Sequence, residues 1–175
     1  MRWPRCSATQ AAASSKAGRV SAEARVPNLT AAGRGSTILA PRPAPAFGCV
    51  WLAVAGAHLA GQPLNHELTS LGARRVRVTK TAKEYRLYAL DTVPPKPGMV
   101  HVPGEEAYAI EVEVWELSEA AFGAFVARVP SPMTIGMTKL ADGSLIKGFS
   151  CEPYALNGAR EISQFGGWRA FRASA

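Results

Sequence analysis

The sequence predicts an α+β domain built on a mixed or antiparallel sheet, and three local patterns carry that expectation. Tyr108–Glu116 alternates Ile110, Val112 and Val114 against Glu111, Glu113 and Trp115, the two-residue period of a strand. Met137–Leu140 and Leu145–Phe149 flank Ala141-Asp142-Gly143-Ser144, and Asp-Gly between two apolar runs signals a hairpin. Ser118 stands ahead of Ala121, Phe122, Phe125 and Val126, a capping residue followed by the spacing of an apolar helix face.

The remaining elements follow in chain order. Gly48–Ala55 reads as the first strand, because its apolar run is too short for a helix. Asn65–Leu71 forms a short helical turn after Pro63, and Arg74–Thr79 alternates basic and aliphatic residues as a half-exposed strand does. Tyr85–Leu90 is a strand rich in aromatic residues. Thr92–Pro97 holds three prolines, which deny ladder donors and predict an extended connection. Cys151–Tyr154 continues from the hairpin, and Ile162–Phe165 leads into Gly166-Gly167-Trp168. No internal repeat occurs.

With 175 residues, 47% of them apolar, the chain has material for one sizeable core, placed by composition in residues 47–175. Residues 1–46 carry seven Lys/Arg and one Glu, whereas 47–175 carry thirteen Lys/Arg against twelve Asp/Glu. The overall charge of +7 therefore describes the tail, and a nucleic-acid partner for the domain has no support. The tail is rich in Ala, Arg, Ser and Pro and is expected to be disordered, since it offers little to offset ordering entropy. A transit-like peptide, a linker remnant and a misplaced start codon all fit it, the last two better than the first. No run of about 18 apolar residues occurs, so no membrane span is expected. Cys6, Cys49 and Cys151 show no CxxC spacing and an odd count, which points to a reducing, cytoplasmic setting without a disulfide framework or structural zinc. Cys151 reads as a small core thiol rather than a nucleophile. No metal and no cofactor are expected, for neither GxGxxG nor a P-loop is present, and GAREISQFGG has the wrong spacing.

The segment most suited to chemistry is VAGAHLAGQPLNHELTSLGAR. Gly56 and Gly61 bracket Ala57-His58-Leu59-Ala60, so an imidazole sits in a glycine turn at the end of a buried strand. There it is able to move a proton near neutrality, or else to be an inert loop histidine. The N–H groups of Ala57, His58 and Leu59 suit an anion-binding nest. Further along, Arg86 and Tyr88 share a strand face with Tyr85 opposite, which fits either a bidentate carboxylate clamp or a surface arginine packed on an aromatic. Glu111 and Glu113 lie on one strand face. Turned inward they would repel and one pKa would rise; turned outward, the favoured reading, they are a solvated face. Asn65 offers polar contacts, His66 is expected to be exposed, and His101 receives no role.

The segments GAHLAGQPLNHEL, YRLYAL, PPKPG, IEVEVWEL and GAREISQFGGWRAF, in this order between Phe47 and Phe171, resemble the C-terminal domain of allophanate hydrolase. The resemblance implies a fold like that of the gamma-glutamyl cyclotransferases, a small mixed β-barrel with flanking short helices. In that fold the matching glycine turn lines the substrate cavity. In allophanate hydrolases this domain follows an amidase domain and is associated with decarboxylating its product, N-carboxycarbamate. No segment of the 175 residues suits the amidase's Ser–Ser–Lys apparatus.

The implied activity is thus decarboxylation of N-carboxycarbamate or a similar small carboxylated amine, in urea and allophanate nitrogen metabolism. His58 would be catalytic, and Gly56, Ala57, Leu59, Tyr85, Arg86, Glu111 and Glu113 are the candidate substrate contacts. The expected ligand is a compact carboxylate such as malonate. The alternatives are a non-catalytic module that stabilises a separate amidase subunit, and a cyclotransferase-like enzyme. Ala109 falls close to where the cyclotransferases keep a catalytic glutamate, which counts against the latter. A homo-oligomer is compatible with all three.

Overall fold

A computed structural model describes residues 43–104 and 106–174. The basic tail expected over 1–46 therefore falls, up to residue 42, outside the described residues. The chain forms strands β1 (Cys49–Val54), β2 (Arg74–Lys80), β3 (Tyr85–Leu90), β4 (Lys96–His101), β5 (Glu111–Ser118), β6 (Met133–Lys139), β7 (Leu145–Cys151) and β8 (Arg160–Glu161). Three short helices join them: α1 (Asn65–Thr69), α2 (Glu119–Val126) and α3 (Trp168–Ala173).

Five strands make a mixed sheet in the order β2-β5-β1-β7-β6, and three make a second sheet in the order β4-β3-β8. The β1–β7 pair is parallel and its neighbours are antiparallel. This is the α+β architecture expected. The sheet is not closed into the barrel expected: its edge strands β2 and β6 approach only just past their ends, through an isolated bridge between Thr81 and Leu140. There Ala82 N–H donates to the Lys139 carbonyl and Ala141 N–H to that of Lys80. The smaller sheet packs on the larger rather than completing its ladder.

Burial follows position in the sheet. β1 is central between β5 and β7, so Leu52, Ala53 and Val54 are buried whichever face they point to. β5, between β1 and β2, is likewise buried from Val112 to Leu117. Its alternation marked a strand correctly, but both faces are covered. Leu52, Leu59, Leu68, Leu87, Ile110, Leu117, Leu140 and Ile162 are fully buried and define the core. At about 2 kcal/mol for each such side chain removed from water, these contacts are what oppose chain entropy.

The hairpin and the capped helix form as their local chemistry dictates. Asp142 accepts from the Ser144 N–H, and Gly143 takes the left-handed φ of +79° that the turn requires. Ser118 Oγ accepts from the Ala121 N–H, and α2 buries Ala121 and Phe125. Two differences stand out. β4 begins at Lys96-Pro97, inside the segment expected to be a mere connection. It lies at the edge of its sheet, where the missing N–H of Pro97 breaks no ladder. The C-terminal segment builds β8 and α3, whose Trp168 is buried. Cys151 is a buried free thiol, as expected of a small core cysteine. No helix among the described residues is long and apolar enough to cross a membrane.

Candidate functional site

β1 leaves the sheet at Val54, and the chain turns at once through Gly56. A Cβ there would stand 2.2 Å from Cδ of Pro97, so only glycine lets β4 approach this closely. The turn is then tied down: Leu59 N–H donates to the Gly56 carbonyl, Leu64 N–H to that of Ala57, and Asn65 Nδ2 to that of His58. Asn65 is therefore a strut of the turn, while His66 is exposed, with its ring Nδ1 2.9 Å from the Pro63 carbonyl oxygen.

These bonds hold His58 against three neighbours. Its ring stacks on Phe149 at 5.2 Å between centroids and meets Phe125 edge-on at 5.2 Å. Its Nε2 lies 2.9 Å from Oε2 of Glu67 on α1. An ionised carboxylate only accepts, so Nε2 carries the proton and Nδ1 keeps the lone pair. Burial holds the His58 pKa below its ordinary 6.5; Glu67 opposes that shift, and Lys96 and His66 add to it. The imidazole is consequently neutral at pH 7 and readily charged by an added anion.

His58 lines a cavity of about 200 Å³, with Gly56 and Ala57 in the same wall. Glu67, Lys96 and Arg128 are its other ionisable residues. Met99, Phe125, Val129, Met133 and Phe149 supply apolar surface. Two cations, one carboxylate and a titratable imidazole in a largely apolar hollow suit a small carboxylated ligand. The described residues bring no three His, Cys, Asp or Glu side chains into a metal-binding group.

The other sequence candidates lie elsewhere. Leu59 is fully buried, and its N–H is spent on Gly56, so it adds nothing to an anion nest. Tyr85 is buried with its hydroxyl accepting from the Lys139 N–H, and it does not line the cavity. Arg86 donates from Nε to the Glu106 carbonyl and lies 3.9 Å from Glu161, also away from the cavity. Glu111 pairs with Arg169 at 3.1 Å.

Glu113 departs from the solvated face that was favoured. It is fully buried and accepts from Ala60 N–H, Trp115 Nε1, Arg75 and, at 2.7 Å, Arg169. Burial alone would raise its pKa, but those donors outweigh it and hold the carboxyl below the usual range. It is a fixed anion, not the raised-pKa acid of an inward pair. Arg169 also donates to the Ala60 carbonyl, so one ion pair grips both sides of a residue in the glycine turn.

Sequence reasoning missed Glu67, Lys96 and Arg128. The first two lie inside the NHEL and PPKPG stretches that carried the resemblance, which was the signal available.

The family model of the allophanate hydrolase C-terminal domain matches residues 50–173. Urea amidolyase of Saccharomyces cerevisiae is 42% identical over 124 residues, which are 69% of this chain and 7% of that protein. The chain thus spans a small fraction of the curated relatives it matches. Among solved structures, Kluyveromyces lactis allophanate hydrolase is 38% identical with a TM-score of 0.69, covering 71% of this chain and 21% of that one. A uropathogenic E. coli-specific protein is 34% identical with a TM-score of 0.66, over 71% of this chain and 96% of its own. On the extent of the family match and the level of identity, this chain belongs to the allophanate hydrolase C-terminal domain family.

Proposed function

We propose that this domain decarboxylates N-carboxycarbamate or a similar small carboxylated amine. The observation that carries the reading is the His58–Glu67 pair, set at 2.9 Å in a cavity that Lys96 and Arg128 also line. In the reaction the bond between nitrogen and one carboxylate carbon breaks. Its electron pair stays on nitrogen, carbon dioxide leaves, and nitrogen takes up a proton.

The residues divide that work. Lys96 and Arg128 hold the carboxylates. The incoming negative charge raises the pKa of His58, which binds a proton, and Glu67 steadies the imidazolium and its orientation. Because burial disfavours the charged ring, His58 gives that proton up to nitrogen as the carbon–nitrogen bond opens. The apolar walls exclude water and strengthen each of these interactions.

The test is carbon dioxide release from amidase-generated product, with and without the chain. A faster release supports the decarboxylase. An unchanged rate with tight co-purification of the amidase would instead assign an assembly role, which the small share of K. lactis allophanate hydrolase covered by this domain favours as second reading. Tighter binding of a gamma-glutamyl amino acid than of malonate would reinstate a cyclotransferase.

A further inference from the structure

Resting on the decarboxylase reading and deepening it, we propose that Arg169 is a positioning residue: it holds the far end of the glycine turn and so keeps His58 in register with the substrate. The turn is fastened at both ends with His58 midway. At one end Gly56 abuts the Pro97 ring. The carbonyls of Gly56, Ala57, His58 and Leu59 accept, in turn, from the Leu59 N–H, the Leu64 N–H, the Asn65 side chain and the Gln62 N–H. The Ala60 carbonyl is different. It accepts from Arg169 at 2.9 Å, while the Ala60 N–H donates to Glu113, also at 2.9 Å. Bonds within the segment set its shape, and the Ala60 pair sets its place against β5 and α3.

The closing motif GAREISQFGGWRAF lines no part of the cavity, and it is what delivers this guanidinium. Gly166 takes the left-handed φ of +71°, and its carbonyl accepts from the Glu111 N–H. A Cβ on Gly167 would stand 3.0 Å from Cβ of Glu111, and Trp168 is buried. The start of α3 is thus pressed against β5. From there Arg169 forks, Nη1 reaching Glu111 at 3.1 Å and Nη2 reaching Glu113 at 2.7 Å as well as Ala60. Glu111 and Glu113, two residues apart on one strand, form the cradle of the fork. An ammonium is a single point of charge and cannot serve two carboxylates and a carbonyl together. Arg169→Lys therefore keeps a cation beside Glu113 and loses the hold on the turn. Arg75 provides the control, because it bonds the same Glu113 carboxylate at 3.2 Å and not the turn.

Malonate affinity by calorimetry, the His58 ring-proton signals by NMR and the melting temperature are measured on the full chain and its variants. Arg169→Lys is expected to bind malonate about tenfold more weakly while melting within a few degrees of wild type. Its His58 signals, which stacking on Phe149 shifts upfield, should move back toward those of free histidine. Arg75→Lys should match wild type in affinity and in ring signals. Wild-type affinity with unmoved ring signals in Arg169→Lys would overturn the inference. So would an equal loss in the two variants, which would make Glu113 a matter of stability alone. If Arg169→Lys does not fold, Glu111→Gln, which frees one arm of the fork, decides instead: about two- to threefold weaker malonate binding is expected, and wild-type binding would overturn the inference. Carbon dioxide release that the wild-type chain does not speed would sink the decarboxylase reading, and the His58 signals would still decide the part played by Arg169.

Discussion

His58 is held on three sides, by Phe149, Phe125 and Glu67. Replacing it with Ala removes the imidazole proposed to carry the proton, and on that proposal the decarboxylation rate falls about 10²- to 10⁴-fold. The same change strips a packed ring, so a loss of about 1–3 kcal/mol in denaturant unfolding accompanies it while the native circular dichroism is kept. Glu67→Gln acts differently. It withdraws the charge that supports the imidazolium, so the His58 pKa moves still lower, which an NMR titration of the ring will register. The wild-type shift also has a stability signature. With its folded pKa below the unfolded value, His58 binds more protons when unfolded. Stability is therefore full above pH 6.5 and is lost as pH falls through the folded pKa. The slope of unfolding free energy just below pH 6.5 should be shallower in His58→Gln than in wild type.

At the scale of elements, the glycine turn depends on two supports. Gly56→Ala pushes a methyl group into the Pro97 ring, and an over-packing cost of about 1–3 kcal/mol is expected, together with weaker malonate binding. Glu113→Ala leaves Arg169, Arg75 and the Ala60 N–H short of their acceptor in a buried setting. A loss of about 3–5 kcal/mol should follow in equilibrium unfolding, and an unchanged stability would show that water replaces the carboxylate without penalty. This is also the scale at which the sequence was partly legible. Tyr85–Leu90 forms as read because alternation is local, and the Asp142-Gly143 hairpin because turn chemistry is local. β4 was not read, since Lys96-Pro97-Gly98 is a strand only at a sheet edge, and edges are settled by tertiary pairing. The burial of Glu113 was hidden for the same reason: Arg75 and Arg169 stand 38 and 56 residues away. Of the candidate site, His58 and the glycines were visible as a motif. Lys96 and Arg128 were not, because only the folded sheet brings them to one cavity.

For the whole molecule, every described strand and helix lies between Cys49 and Ala173, and Ala46 N–H donates to Glu116. A chain starting at residue 43 should consequently melt within a few degrees of the full chain and bind malonate equally. A large drop in melting temperature would show that the basic tail contributes to the fold. The nearly balanced charge of residues 47–175 bears on partners at this scale as well, since it offers a polyanion no field to follow.

Arg169 reaches back 109 residues to the Ala60 carbonyl. Synthesis is vectorial, and that span gives the grip on the turn a place in time. As the nascent chain emerges, β1, the histidine and Glu113 are all made while the guanidinium that completes their clamp is still to be translated. Until then Glu113 has Arg75, Trp115 and the Ala60 N–H as donors, and the turn is held from one side. The pocket is thus among the last features to set, and a released chain ending before residue 169 would hold every strand but not the finished site.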